Sequence, residues 1–323
     1  MTISRAPDLA RHVRSALIVV DQSLTDSPAD VLSPDVVKFI NRQLIKFTRL
    51  RELTVDVPSA QWIVDKILTA LRVANSCPRL QVFDICVGDH IRDWTSLESL
   101  LRSQPLLVSL SITAGADYRR DYWDSVNRAP VTFEFANPPT FQLQELSVMM
   151  KDVSQSTLPT HQSTSSLQSL NNDVSALHPD SLTISHLSNL HTFSQSSDNR
   201  LDGVPNLGIE SLPLEHLSLK FPFPSFATDF PTLPPTLMSL SMQETLTAAA
   251  VVSLITSDRL KNLTRVTFAP YPYTYWPAGQ EPWPRRTWTT FEQAQVARAC
   301  GSRLRLILPG PSKPHARNQT STW

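Results

Sequence analysis

The chain has 323 residues, of which 29 are Lys or Arg and 29 are Asp or Glu, so its formal net charge is zero. This balance excludes a global electrostatic field that would attract nucleic acid or an anionic membrane surface. The three cysteines form no C-x-x-C pair, which favours a reducing compartment over a disulfide-stapled secreted protein. Because the sequence shows neither a signal peptide nor a membrane-spanning apolar run, it predicts a cytoplasmic or nuclear chain without membrane contact.

The dominant feature of the sequence is a short pattern, apolar-x-x-apolar-x-apolar, that recurs along the whole chain. Copies begin at Val13, Leu50, Leu80, Leu107, Leu143, Leu167, Leu190, Leu214, Leu237, Leu263 and Gly301. Between Leu143 and Leu237 successive copies start 23 or 24 residues apart, and such a period is the signature of a leucine-rich repeat solenoid. Each copy predicts a short strand whose leucines no single repeat can bury, so stacked neighbours form one continuous core.

Apolar residues at helical spacing predict helices between these strands. The stretch Pro34–Phe47 begins with a proline, which the first turn of a helix accepts, and carries an apolar stripe. Further helices are predicted over Ser59–Ala70, Thr95–Arg102, Thr247–Ile255 and Phe291–Cys300. The sequence therefore predicts an α/β leucine-rich repeat solenoid of ten or eleven repeats. Its curved parallel sheet would lie on the concave side, and its helices and turns on the convex side.

The repeats also define the expected domain organisation. It consists of a flexible lead-in over 1–12, a repeat domain over 13–309 with insertions at 115–141 and 270–290, and a disordered tail over 310–323. The stretch 152–195 is rich in Ser and Thr, and a phosphorylated linker is the alternative interpretation there. Because the strand pattern persists through it, we expect short repeats with turns on the convex side.

Polar residues alternate with the leucines, as expected for a sheet with one solvated face. Candidate partner contacts on this concave face are Arg51, Glu52, Asp56, Glu145, Glu215, His216 and Lys220. The insertion 270–290 adds six large aromatic residues and two arginines on a proline-rich loop, and such residues form interface hot spots. Its candidate contacts are Tyr273, Tyr275, Trp276, Trp283, Arg285 and Trp288. The alternative is that this loop covers the end of the core.

Motifs of catalysis and cofactor binding give no positive signal. The stretch 203–208 has the glycine spacing of a phosphate-binding loop, but Ile209 and Glu210 follow it where Lys and Ser or Thr would meet phosphates and magnesium. His186 and His191 lie five residues apart, with Asp198 downstream, but His191 is expected on the surface of a strand, which argues against a metal site. The sequence therefore predicts no enzyme activity, no catalytic residue, no cofactor and no metal site.

The L-x-x-L-x-L copies resemble leucine-rich repeat proteins of the ribonuclease-inhibitor-like class across nearly the whole chain. The segments Ala10–Ser15 and Cys77–Phe83 further resemble the repeat regions of fungal F-box proteins. This resemblance implies repeats that capture a substrate for a cullin-type ubiquitin ligase, whose adaptor binds the F-box. The stretch Leu32–Ile40 echoes the start of an F-box, but a repeat begins ten residues later at Leu50, which leaves no room for the rest of that module.

Taken together, these patterns predict a non-catalytic scaffold that binds a protein partner on its concave strand face and its aromatic loop. The alternative is the substrate-recognition subunit of a cullin-type ubiquitin ligase, with the ligase adaptor as a second partner. A third interpretation is a right-handed parallel β-helix enzyme that acts on polysaccharide. The helices predicted over Pro34–Phe47 and Ser59–Ala70 argue against it, because a β-helix has none on its outer side.

Overall fold

The structure is a computed structural model that describes residues 12–19, 42, 46–57, 67–69, 79–87, 95–114, 142–150, 166–174, 184–185, 187–196, 208–220, 232–243, 247–269, 289–302 and 304–307. Several predicted features lie outside these residues. They are most of the lead-in, most of the helices over 34–47 and 59–70, the insertion 115–141, the aromatic loop up to residue 288 and the tail 310–323.

The described residues form one parallel sheet of eleven strands, arranged in the order in which they occur in the chain. The strands are β1 (Ser15–Val19), β2 (Glu52–Val57), β3 (Val82–Val87), β4 (Ser109–Ala114), β5 (Glu145–Met150), β6 (Ser169–Val174), β7 (Thr192–Ser196), β8 (His216–Lys220), β9 (Ser239–Gln243), β10 (Arg265–Ala269) and β11 (Arg305–Ile307). Because each strand pairs only with the strands before and after it, the chain winds as a solenoid. The predicted parallel-sheet solenoid is confirmed.

The core lies on one side of this sheet, where the apolar residues of the repeated pattern point. Leu50, two residues before β2, and Leu53 and Val55 within β2 are each at most 1% exposed. The second residues of neighbouring strands are register partners and form an inner row. Its members Leu53, Phe83, Leu110, Leu146, Leu170, Phe193, Leu217, Leu240 and Val266 are at most 2% exposed. The inner row therefore makes the core continuous from β2 to β10.

A polar side chain, that of Gln195, lies in the core at the fourth place of its strand. Gln195 of β7 is fully buried, next to Leu219 of β8 in the register. Its Nε2 donates a hydrogen bond to the carbonyl oxygen of Ser196 at 3.0 Å. This bond supplies a partner for a group that would otherwise be costly to bury.

The backbone just before each strand carries a repeated hydrogen-bond arrangement. The carbonyl oxygen of Gln168 accepts from the N–H groups of both His191 and Thr192, each at 2.9 Å. In each layer from the carbonyl of Arg14 to that of Met238, one carbonyl oxygen likewise accepts from two consecutive N–H groups of the next layer. Consecutive layers are thus joined in a fixed register before their strands begin.

Side chains add further links between layers at the residue that precedes the first leucine of a copy. Ser166 Oγ donates to the carbonyl oxygen of Leu143 at 2.7 Å, and Thr236 Oγ1 donates to that of Leu214 at 2.7 Å. Asn262 makes an equivalent bond of 3.0 Å to a carbonyl of the preceding layer. We refer to these three residues as the bridging side chains, because they satisfy turn carbonyls that the sheet leaves unpaired.

Three α-helices and one 3₁₀-helix have both of their ends within the described residues. They are α1 (Thr95–Arg102), α2 (Ala248–Thr256), the 3₁₀-helix Asp258–Leu260 and α3 (Thr290–Cys300). The three α-helices begin within one residue of their predicted positions. The Thr247 hydroxyl accepts a hydrogen bond from the Ala250 N–H at 3.1 Å and so caps α2. In the part of the chain that the structure describes, no helix is long and apolar enough to cross a membrane.

A reciprocal capping box starts α3 at the end of the predicted insertion 270–290. Thr289 Oγ1 accepts from the N–H of Glu292 at 3.2 Å, and Glu292 Oε2 accepts from the N–H of Thr289 at 2.8 Å. The helix ends at Gly301, whose φ of 56° lies in the region that favours glycine. Residues 289 and 290 are therefore the N-cap and first turn of α3.

The last strand shows that one predicted register was wrong. The pattern aligned Leu304 with Val266, whereas in the structure Leu306 pairs with Val266. Leu304 lies one residue before β11, and is 6% exposed. Because side chains alternate with a period of two, a shift of two residues keeps every side chain on its face, and the apolar pattern cannot distinguish the two alignments.

Candidate functional site

The side of the sheet opposite the core is formed by the first, third and fifth residues of each strand, which we name the exposed face. In the third row nearly every side chain is small and hydroxylated or amidic. The row runs through Thr54, Asp84, Ser111, Ser147, Asn171, Ser194, Ser218, Ser241 and Thr267, all of them half-buried. Asn171 Nδ2 donates to Ser147 Oγ at 3.1 Å. Such small polar side chains let a bound chain approach the sheet closely and offer it both donors and acceptors.

Negative charges lie on the first strands of the exposed face. Glu52 and Asp56 of β2, Asp84 of β3 and Glu145 of β5 form what we name the acidic half. The register places Asp56 beside Cys86. Among the described residues of β1 to β5, the first, third and fifth positions hold no Lys, Arg or His.

The Cys86 thiol lies between these carboxylates on the exposed face. Burial raises its pKa above the ordinary 9.0, and the carboxylates of Asp56 and Asp84, one of which hydrogen-bonds the thiol, raise it further. A raised pKa keeps the thiol protonated at neutral pH, and a protonated thiol is a poor nucleophile and metal ligand. The raised pKa therefore disfavours Cys86 as a nucleophile or a metal ligand at neutral pH.

Positive and ionisable basic groups lie on the last strands of the exposed face. His216 and Lys220 of β8, Arg265 of β10 and Arg305 of β11 form what we name the basic half. His216, Arg265 and Arg305 share the first row through Ser239. Among the described side chains of β8 to β11, the face holds no Asp or Glu. Between the halves, Thr192, Ser194 and Ser196 make β7 neutral.

The row just before the strands forms a margin of the exposed face, and its charges follow a different order. Arg51 is exposed beside the acidic half. Glu215 precedes β8, and its Oε1 lies 3.4 Å from His191 Nδ1, with both side chains nearly half exposed. An ion pair this exposed contributes about 0 to 1 kcal/mol. Arg51 and Glu215 are thus each opposite in charge to the half of the face that they adjoin.

The predicted contact residues fall into three groups: those on the exposed face, those at its margin, and those that the structure does not describe. Glu52, Asp56, Glu145, His216 and Lys220 lie on the exposed face, whereas Arg51 and Glu215 lie at its margin. Glu145 stands apart, since its register neighbours Ser109 and Ser169 are uncharged. The six predicted contacts of the aromatic loop, from Tyr273 to Trp288, lie outside the described residues.

Five further face residues are absent from the predicted contacts. Asp84, Arg265 and Arg305 complete the acidic and basic halves, and Leu17 and Val19 on β1 are 64% and 60% exposed. The signal that would have found them is the register of the repeated pattern. Asp84 holds the same place in its copy as Thr54, so aligning the copies predicts that it faces outward.

The described part of the chain shows no group of three or more His, Cys, Asp or Glu side chains that could hold a metal ion. The second described cysteine, Cys300 at the end of α3, is buried, and burial raises the pKa of its thiol. The chemistry available on the exposed face is therefore hydrogen bonding by hydroxyls and attraction between charges. No protein-family model matches the chain, and no curated protein matches it either.

Proposed function

We propose that this chain is a leucine-rich repeat protein of the ribonuclease-inhibitor-like type that acts as a non-catalytic scaffold and binds another protein on its exposed face. The observation that carries the proposal is the contrast between the two sides of one sheet. The inner row is at most 2% exposed, whereas the third row offers half-buried polar side chains on successive strands. A row of this kind has no role in the core and is free to contact a partner.

The size of the exposed face fits a protein partner. Eleven strands at a spacing of about 4.8 Å extend about 48 Å, and five strand residues cover about 16 Å in the other direction. The resulting area of about 800 Å² matches what one partner contributes to a stable protein interface. Strands also hold their side chains more rigidly than loops do, which lowers the entropy lost on binding.

The aromatic loop is a second part of this proposal. Residues 270–288 connect the end of β10 to the N-cap of α3, so both ends of the loop are attached to described elements. We propose that Trp276, Trp283 and Trp288 supply aromatic anchors for the same partner, because aromatic side chains and arginines dominate binding hot spots.

A quantitative affinity pull-down from native cell extract tests the proposal. It compares the wild type with a face variant, Ser194→Arg/Ser218→Arg, a loop variant, Trp276→Ala/Trp283→Ala/Trp288→Ala, and a control variant, Glu210→Lys, at an exposed turn residue away from the face. Thermal unfolding by circular dichroism verifies that all variants fold. We expect a protein that the wild type and the control retain, and that the face variant loses.

Two other results would change the interpretation. Equal recovery of every protein by all four forms would contradict binding on the face. Recovery of a cullin adaptor by wild type and both variants would instead support the ligase-receptor alternative, because an adaptor binds a separate module and not the repeats.

A further inference from the structure

Charge on the exposed face changes sign once along the solenoid. The strands from β2 to β5 carry the acidic half, β7 is neutral, and the strands from β8 to β11 carry the basic half. Because the whole chain has a formal net charge of zero, this order is a local dipole on one surface and not a consequence of composition.

An exposed apolar pair lies beyond the acidic half. Leu17 and Val19 of β1 are register partners of Thr54 and Asp56, and they are 64% and 60% exposed. Large apolar side chains this exposed on a sheet face gain free energy when a partner covers them. The apolar pair, the acidic half and the basic half thus follow one another across the strands.

We infer that the exposed face binds an extended segment of a partner protein that runs across the strands. An apolar residue of the segment covers Leu17 and Val19, its Lys or Arg side chains meet the acidic half, and its Asp or Glu side chains meet the basic half. This inference rests on the proposed function and adds the chemistry and the direction of the partner. The small third-row side chains allow the backbone of the segment to lie close to the sheet.

The dimensions of the face set the length of the segment. From β3 to β9 there are six strand spacings, or about 29 Å. An extended chain covers about 3.3 Å per residue. About nine residues of the segment therefore separate the part that contacts the acidic half from the part that contacts the basic half. The segment therefore has basic residues in one part, acidic residues in the other, and a change of sign near its middle.

A second copy of this chain fits the face less well. A two-fold axis through the central strand β6 would place the acidic half of one copy over the basic half of the other. The same axis would place Leu17 and Val19 over β11, where Arg305 lies in the first row. Leu17 and Val19 would then face a strand that carries Arg305 and would gain less from burial than against an apolar residue, so an extended segment accounts for more of the surface.

Selection of random peptides tests this inference on the full chain. Twelve-residue peptides displayed on phage are selected against the wild type and against a swap variant, Glu52→Lys/Glu145→Lys/Lys220→Glu/Arg265→Glu. All four positions are exposed in the structure. The control, Glu210→Lys/Lys261→Glu, changes exposed turn residues away from the face. Enriched peptides are then synthesised and their affinities measured by fluorescence anisotropy at two salt concentrations.

The expected result is that wild type and control select peptides with basic residues in one part and acidic residues in the other. The swap variant selects the reverse order relative to the apolar residue. Peptides selected on the wild type bind the swap variant at least about tenfold more weakly, because exposed charge pairs become like-charge pairs. Their affinity for the wild type falls as salt increases.

Three results would overturn the inference, and one of them would also overturn the proposed function. The selected peptides could lack any order of charge and still fail to bind the variant Ser194→Arg/Ser218→Arg. That result would reject the charge order but keep the face as a binding surface. Failure to select any peptide that depends on the face would reject both proposals. A dimer in light scattering that the swap variant loses and the control retains would assign the face to a second copy instead.

Discussion

At the amino-terminal end of the solenoid β1 has a paired neighbour on one side only, whereas at the carboxyl-terminal end α2 and α3 pack together beside the last strands. The core side chains Ala16 and Ile18 of β1 are only half-buried. Val266 of β10, at the other end, is fully buried. The same repeated pattern therefore produces a complete core only where a layer has neighbours on both sides, and the comparison predicts which substitutions matter.

The largest effect is expected where the core is complete. Phe193 is fully buried in the inner row, between Leu170 and Leu217. Phe193→Ala should lower the free energy of unfolding by about 4 kcal/mol, because it removes buried apolar surface and leaves a cavity. Ile18→Ala on β1 should cost about 1 kcal/mol, since that side chain is already half-exposed. Urea denaturation of both variants measures the difference, and equal losses would contradict the distinction between a layer with neighbours on both sides and one with a neighbour on one side.

A smaller effect is expected at the capped end of the solenoid. Thr289→Ala removes the side chain that both caps α3 and receives the Glu292 N–H, and should destabilise the protein by about 1 kcal/mol. The control is Thr256→Ala, whose exposed hydroxyl only donates within α2. Hydrogen exchange should speed up in the first turn of α3 in the first variant alone. Unchanged exchange there would show that the capping box does not hold the helix start.

The bridging side chains should contribute less still. Thr236→Val keeps the shape of the side chain but removes the 2.7 Å bond to the carbonyl oxygen of Leu214. We expect a loss of about 0.5 to 1 kcal/mol, the net value of one hydrogen bond. Thr232→Val, at an exposed position of the same turn, is the matched control. Urea denaturation measures both, and an equal change would mean that the bond between layers adds nothing.

The smallest effect concerns Cys86 in the acidic half. Because its pKa is raised in the folded chain, the folded state favours the protonated thiol. The stability that the protonated thiol contributes is present at pH values below the pKa of the thiol in the unfolded chain. It is lost as pH rises through the pKa of the thiol in the folded chain. Asp56→Asn should lower the pH midpoint of alkylation of Cys86 by iodoacetamide, read by mass spectrometry of its peptide. A midpoint that stays unchanged would show that the Asp56 carboxylate does not act on the thiol.

The sequence predicts most of the sheet because each copy carries its own alignment. Ten strands begin two residues after the first apolar residue of a predicted copy, as β2 does after Leu50. The eleventh does not, because a shift of two residues leaves the alternation of faces unchanged and the pattern cannot distinguish the two alignments. The pattern alone therefore predicts which side of the sheet a residue faces better than it predicts which residue of the next strand it pairs with.

The candidate site was less predictable than the fold, for a related reason. Asp56 and Asp84 are 28 residues apart in the chain and become neighbours through the pairing of β2 with β3. Aligning the copies predicts that these two residues lie close together, whereas inspection of one copy at a time does not. The register places Leu17 and Val19 on the outward face, whereas the degree of their exposure depends on which layers lie beside β1.

The strictly sequential order of the strands has a mechanical consequence. Because each strand is held only by the one before and the one after, a chain pulled from its two ends can give way one layer at a time. A layer of 23 or 24 residues, as between Leu143 and Leu237, would release about 80 Å of extended chain. Stretched in an optical trap, the molecule should lengthen in a staircase of such steps, and would behave as an extensible spring instead of a rigid block.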